Sequence, residues 1–231
     1  MVAKEVKRII SKLRYNKIYT YDVFDSIENR NALYVAINRL IKDNVIARYS
    51  KGKFYKVKIE KSEYFESGIK IGIDDRVAWR ELIVPNQDIA LGNGLYNARR
   101  LTTQNAFVYQ IGTISNKRGL VQRGGRKVKY FKIPVQPTLK NKEIIEFIDI
   151  LSNKNMIMDL IEYEYSNYVK KIVGKFKKDE KYLKRFVDII SKYNLKTKKN
   201  LISNLQKIDR DFANFLVVSI FPKYKQRGMR K

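Results

Sequence analysis

The chain has 231 residues and a formal charge of +26, from 49 Lys and Arg against 23 Asp and Glu. It contains no His and no Cys, which excludes disulfides, imidazole or thiolate metal ligands, and catalysis by either residue. Apolar residues make up 44% of the chain, enough to bury real cores. The charge predicts a polyanionic partner, nucleic acid before acidic protein or anionic lipid, although an AT-rich genome would also raise the Lys content.

The positive charge is spread over the whole chain. Residues 1–58 carry +9, residues 59–137 carry +6 and residues 138–231 carry +11. No stretch approaches the roughly 18 apolar residues of a membrane span, and the first residues lack an apolar signal core. We therefore expect a cytoplasmic protein that does not bind membranes.

Residues 1–60 predict three helices followed by two short strands. Apolar residues recur at intervals of three and four in the first and third helices, and apolar residues alternate with basic ones in the strands. This order, ending in a basic hairpin, is that of a winged helix-turn-helix DNA-binding domain. The predicted elements span 3–13, 21–27, 31–44, 45–49 and 53–59.

A winged helix-turn-helix domain places its third helix in the major groove and its hairpin against the DNA backbone or minor groove. Asn side chains pair with adenine, Arg side chains pair with guanine, and Lys and Arg contact phosphates. A small helical domain with a solvated basic face, or a winged helix used for protein contacts, is the alternative. The candidate DNA-binding residues are Arg30, Asn31, Tyr34, Asn38, Arg39 and Lys42 on the third helix, and Arg48, Lys51 and Lys53 on the hairpin.

Residues 61–137 predict a central α/β domain with one distinctive turn. A Gly-rich entry at Gly92 leads into a short helix and then Leu101-Thr102-Thr103-Gln104. A predicted strand at 107–114 follows, with Phe107, Tyr109 and Ile111 in alternation. Residues 90–135, and more loosely the first 60, resemble the AbiE-type antitoxins of type IV toxin-antitoxin (abortive infection) modules. The chain departs from that family's pattern at Arg100 and at Asn105-Ala106.

The resemblance implies an antitoxin that represses its own operon by binding operator DNA and counteracts a nucleotidyltransferase-like toxin. It marks Leu101, Thr102, Thr103 and Gln104 as the family motif. The residues themselves support a simpler account, because Thr side chains make local turns and a Gln side chain can satisfy buried backbone groups. A winged-helix transcriptional or plasmid-replication regulator without a toxin partner is the alternative function.

The segment from Lys117 to Lys132 holds seven basic residues and no acidic one. Its Gly124-Gly125 pair and the alternation in 127–132 predict a basic β-hairpin. Tyr130 and Phe131 would allow base stacking, so an RNA-binding protein is a further alternative, beside a merely solvated basic strand. The candidate contacts with a partner or nucleic acid are Arg118, Arg123, Arg126, Lys127 and Lys129.

Residues 138–231 predict a helical bundle extension, which begins after Pro134 and Pro137. The predicted helices span 140–151, 156–176, 180–193 and 198–220, and the last of these holds Asp209 and Asp211 at its middle, where their side chains diverge. No acidic cluster or phosphate-binding motif stands out, so we expect no enzyme activity, no metal and no cofactor. The predicted fold class is α+β, in three regions: 1–60, 61–137 and 138–231.

Overall fold

The computed structural model describes residues 2–123 and 126–221. Over these residues the protein has mixed α+β structure, with nine α-helices and three small sheets, which confirms the α+β class of the predicted fold. The chain divides into two compact units. The first comprises Met1–Leu82 with Gln122–Gly125, and the second comprises Ile83–Val121 with Arg126–Lys231.

The first unit contains a three-stranded antiparallel sheet in the order β1-β3-β2 and a separate antiparallel pair, β4 and β5. Its elements are α1 (Val2–Lys12), β1 (Ile18–Thr20), a 3₁₀ helix (Tyr21–Phe24), α2 (Arg30–Lys42), β2 (Ile46–Ser50), β3 (Lys53–Lys56), β4 (Lys58–Glu60), β5 (Ile69–Ile71) and α3 (Asp75–Leu82).

The core of the first unit forms where the apolar faces of α1 and α2 meet the sheet. Val6 and Ile10 of α1 and Ile37 of α2 are buried together, as their spacing predicts. Phe24 stacks on Phe54 of β3, with ring centroids 5.5 Å apart. The two helices therefore turn their remaining, polar faces to solvent.

The start of α2 differs from the prediction. The side chain of Asn29, not that of Asn31, caps the helix, and its oxygen accepts a hydrogen bond from the backbone N–H of Ala32 at 3.0 Å. Both residues have the amide that an N-cap requires, so local sequence does not separate them. Because Asn29 is the cap, Asn31 lies within the first turn with its side chain exposed.

The second unit places a four-stranded sheet, in the order β6-β7-β9-β8, beside five long helices. Strand β7 is antiparallel to β6 and parallel to β9. The elements are β6 (Asp88–Leu91), α4 (Asn93–Ala98), β7 (Val108–Thr113), β8 (Gly119–Arg123), β9 (Arg126–Lys132), α5 (Leu139–Ser152), a 3₁₀ helix (Lys154–Met156), α6 (Glu162–Lys178), α7 (Glu180–Ser191), α8 (Leu195–Gln206) and α9 (Arg210–Ile220).

Helix α5 lies at the centre of this unit. Its apolar residues are buried along most of its length, and Phe147 meets the rings of Phe176 and Phe186 edge-on at 5.4 and 5.7 Å. The same core includes Ile89 of β6 and Ile133, which follows β9. Residues on both sides of Pro134 and Pro137 thus contribute to one core.

Acidic side chains at every third position of α5 hold other elements in place. The carboxylate of Glu146 is buried and pairs with Arg99, the residue that caps the C-terminus of α4. Glu143 accepts hydrogen bonds from the ammonium of Lys175 at 2.6 Å and the hydroxyl of Tyr182 at 2.7 Å. Although burial alone would raise it, these two donors lower the pKa of Glu143 below its usual value.

Asp149 holds the other end of α4. Its Oδ2 accepts hydrogen bonds from the N–H of Gly92 and the hydroxyl of Tyr96, both at 3.0 Å, and its Oδ1 accepts one from Asn153 at 2.9 Å. Burial raises the pKa of Asp149 to about 6, against the opposing effect of these donors. Position 92 requires glycine for two reasons. Its φ is +65° with ψ −151°, and a Cβ would lie 2.5 Å from the side chain of Gln110.

The predicted single helix over 198–220 is wrong, because the structure has two helices there. Asp209 lies between them and caps α9, where its Oδ1 accepts a hydrogen bond from the N–H of Phe212 at 3.0 Å. Its other oxygen pairs with Lys177 at 2.6 Å. An Asp side chain can cap the start of a new helix. The spacing of the apolar residues does not reveal such a break.

Candidate nucleic-acid interface

Helix α2 carries a continuous exposed stripe on the side opposite its buried residues. Asn31, Val35, Asn38 and Lys42 follow one another at intervals of four, three and four, which aligns them along one face. Val35 is 51% exposed and lies between the two Asn side chains. The sequence analysis predicted every residue of this stripe except Val35. Val35 lies four positions after Asn31, and this helical interval would have placed it on the same face.

The polar side chains of this stripe are not engaged by other residues in the described part of the protein. Among the residues that the structure describes, the side chains of Asn31, Asn38, Arg39 and Lys42 make no hydrogen bond or ion pair. Two other predicted residues are engaged with neighbours.

Arg30 pairs with Asp25 at 3.3 Å, and the ring of Tyr34 lies 6.2 Å from that of Tyr21. Both side chains nevertheless keep about half of their surface exposed.

The β2–β3 hairpin presents two further cations. Its tip turns through Gly52 at φ +74°, and both Arg48 and Lys51 are exposed, without a recorded side-chain partner in the described part of the chain. Lys53 instead pairs with Glu81 of α3 at 2.6 Å. Sequence reasoning could not foresee this pair because the two residues lie 28 positions apart.

A bulge in β2 links the hairpin to α3. The register between β2 and β3 shifts between Arg48 and Ser50, so the strand bulges at Tyr49. Tyr49 is buried, and its hydroxyl donates to the carbonyl of Ala78 at 3.2 Å. The bulge therefore fixes the hairpin against the rest of the first unit.

Strand β9 alternates as predicted. Lys127 and Lys129 are exposed, whereas Val128 and Tyr130 are buried. Lys127 lies opposite Val108 of β7 in parallel register. The predicted Gly124-Gly125 turn lies outside the described residues.

Lys117 and Arg residues of the segment from Lys117 to Lys132 make contacts within the protein. Arg118 donates to the carbonyl of Ser115 at 2.7 Å, and Arg123 donates to that of Gln122 at 3.1 Å. Arg126 is half-buried, and Lys117 pairs with the buried carboxylate of Asp88 at 3.2 Å. Lys127, Lys129 and Lys132 are therefore the exposed cations of β9.

The aromatic residues expected to stack on bases are not free to do so. Tyr130 is buried, and Phe131 packs against the core of the second unit. Phe107 is 78% exposed instead, because β7 begins at Val108 and leaves Phe107 outside the strand. The strand predicted over 107–114 is therefore shorter, and Phe107 lies outside it.

The family motif forms a structural turn. Leu101 is fully buried, and its carbonyl accepts a hydrogen bond from the N–H of Ile161 at 2.9 Å. The hydroxyl of Thr102 donates to the carbonyl of Met158 at 2.7 Å and accepts from the N–H of Gln104 at 3.1 Å. Thr103 is exposed. The motif therefore ties α4 to the segment before α6.

Gln104 makes a different contact from the one expected. Its side-chain amide donates to the carboxylate of Asp159 at an exposed position, so it does not satisfy a buried backbone group. Asp159 has a φ of +50°, and the contact holds the loop that contains it.

Within residues 2–123 and 126–221, no group of three or more acidic side chains is placed to hold a metal ion. A cavity of about 320 Å³ opens beside Asp149, with Lys132, Tyr193 and Asn200 in its lining. The Asp149 carboxylate in its wall already has three donors.

No family model matches the sequence, and no curated protein is significantly similar to it. None of the helices in the described ranges is long and apolar enough to cross a bilayer.

Thr102 and Thr103 allow a matched test of the motif's structural role. Thr102→Val keeps the shape of the side chain but leaves the Met158 carbonyl and the Gln104 N–H without this partner, so we expect a loss of about 1–3 kcal/mol in the free energy of unfolding. Thr103→Val should change it by no more than about 0.5 kcal/mol. Urea unfolding followed by circular dichroism measures both, and equal effects would contradict the structural assignment.

Proposed function

We propose that this protein is a sequence-specific DNA-binding regulator, and that it acts as the autorepressing antitoxin of a type IV module. Residues 1–60 serve as a winged helix, with α2 as the recognition helix and the β2–β3 hairpin as the wing. The observation that carries the proposal is the exposed stripe of α2. Its polar side chains make no hydrogen bond or ion pair with the residues that the structure describes, and the helix precedes a basic hairpin.

The dimensions of the stripe suit base reading. From Asn31 to Asn38 the helix rises about 10.5 Å, because each residue adds about 1.5 Å. That distance corresponds to about three base pairs at roughly 3.4 Å each. Asn31 and Asn38 can therefore each pair with an adenine in the major groove, about three steps apart.

Val35 adds an apolar contact between these two Asn residues. A small branched side chain in the major groove is suited to the 5-methyl group of thymine. Its position on the stripe favours a target rich in A·T pairs. Arg39 and Lys42 continue the same side of the helix and supply charge for guanine or phosphate contacts.

The wing contributes affinity without base identity. Arg48 and Lys51 lie at or near the hairpin tip, where a winged helix meets the sugar-phosphate backbone. Phosphate contacts of this kind strengthen binding to any sequence and make it depend on salt. Lys53 contributes less in this account, since Glu81 already neutralises it.

The antitoxin part of the proposal has a different support, the resemblance of residues 90–135 to AbiE-type antitoxins. An antitoxin of this type needs one surface for its operator and other surfaces to counteract the toxin. The two compact units offer such a division, with the α2 stripe in the first and the family motif in the second.

Recognition by α2 predicts different effects for base-reading and phosphate-binding residues. On a site selected from random duplexes, Asn38→Ala or Arg39→Ala should weaken binding by about 1–3 kcal/mol and leave binding to unrelated DNA almost unchanged. Lys51→Ala should weaken both alike and lower the salt slope by about 1. Lys53→Ala is the matched control and should have a smaller effect than Lys51→Ala. Fluorescence anisotropy measures all four variants, and equal losses from Asn38→Ala on both DNAs would contradict the assignment.

The thymine contact predicts that Val35 senses one methyl group. Replacing the thymines of the selected site by uracil removes only the 5-methyl groups. Val35→Ala should cost about 1 kcal/mol on the thymine site and almost nothing on the uracil site. Wild-type binding that does not distinguish the two sites would refute the contact.

The antitoxin role predicts rescue from a neighbouring toxin. Co-expression with an adjacent nucleotidyltransferase-like reading frame should restore growth that this frame alone arrests. Reversal of Arg123, Arg126 and Lys127 to Glu should abolish that rescue and leave operator binding intact. Failure of the wild-type chain to rescue growth would favour the regulator without a toxin partner.

A further inference from the structure

We infer that the second unit has a separate binding site for single-stranded nucleic acid, in which Phe107 stacks on a base and Lys127 and Lys129 contact phosphates. We call this surface the Phe107 platform and define it as Phe107, Val108, Gln110, Lys127 and Lys129. All five residues belong to the second unit, whereas the stripe of α2 belongs to the first.

Phe107 exposes most of its aromatic ring to solvent. It is 78% exposed, and the ammonium of Lys127 lies 4.9 Å from the centroid of its ring. A cation–π contact at an exposed site stabilises by only about 0.5–1 kcal/mol, so most of the ring's apolar surface remains uncompensated. The exposed aromatic surface is available to a second flat partner.

The strand register places the two Lys residues side by side. Lys127 lies opposite Val108 and Lys129 lies opposite Gln110, and both Lys side chains are exposed. Two positions along a strand cover about 6.6 Å, so the cations follow one line on the same face of β9. An extended backbone of phosphates can follow that line, with a base turned onto Phe107.

The composition of the platform favours nucleic acid over an acidic protein. Lys is depleted at protein–protein interfaces, whereas Lys beside an exposed aromatic ring is the usual combination for single strands. Lys129 has no recorded partner within the described part of the chain. The segment from Lys117 to Lys132 contains no acidic residue that would repel phosphate.

Stacking also selects single strands over duplexes. In a duplex the faces of the bases are covered by their neighbours, whereas an unpaired strand can turn a base outward onto an aromatic ring. Phe107 makes no choice among bases, because every base has a flat face. We therefore expect little sequence preference and a strong dependence on salt.

The test compares ordinary and abasic oligonucleotides on the full chain. Fluorescence anisotropy with a labelled oligouridylate, a single-stranded oligothymidylate and its abasic counterpart separates stacking from charge. Phe107→Ala should weaken binding to the two ordinary strands about tenfold and leave abasic binding unchanged. Phe107→Trp should restore it. Lys129→Ala should weaken all three and reduce the salt slope by about 0.7.

Tyr163 provides the matched control. It is also strongly exposed, at 74%, but lies on α6 and is not part of the Phe107 platform, so Tyr163→Ala should leave all binding unchanged. Equal loss on ordinary and abasic strands from Phe107→Ala would overturn the proposal, as would the absence of single-strand binding. Unchanged oligonucleotide binding with lost binding to polyglutamate would assign the surface to an acidic protein. The selected duplex site gives an independent readout, because Phe107→Ala should not affect it.

Discussion

The second unit depends on three carboxylates placed at every third position of α5. Glu143, Glu146 and Asp149 receive the donors of α6, α7 and both ends of α4. Each carboxylate is at least partly buried. The hydrogen bonds from these donors offset the free energy that burial of a charged group would otherwise cost. These acceptors on α5 fix the position of the short helix α4 and of the Leu101–Gln104 turn that follows it.

This arrangement explains how so basic a chain folds around its few acids. The acids at the centre of the fold are occupied by donors from distant segments, whereas many cations remain on the surface. Asp209 and Asp88 repeat the pattern, since each accepts both a backbone N–H and a Lys ammonium. These five acids stabilise contacts within the protein, while exposed cations of α2, the β2–β3 hairpin and β9 face solvent.

Periodicity predicted the elements whose burial repeats regularly, such as α1, α2 and α5. It failed where a single polar group decides between two outcomes, as at the cap of α2 and at Asp209 between α8 and α9. Local sequence pattern could not predict long-range ion pairs, for a different reason. The pairing of Lys53 with Glu81 depends on how segments distant in the sequence pack together. For the candidate site, the polar residues of the stripe followed from spacing. Phe107 did not, since one residue at a strand boundary changes whether a side chain is buried or exposed.

The edge strand β8 shows a second use for positive charge. An edge strand offers unpaired backbone groups that can pair with another chain and start aggregation, and β8 is exposed along most of its length. Arg118 precedes this strand and Arg123 ends it, so two copies that approached edge to edge would bring like charges together. Leu120 is exposed on this strand and adds an apolar side chain to the edge. Part of the basic excess can therefore act by keeping copies of this chain apart.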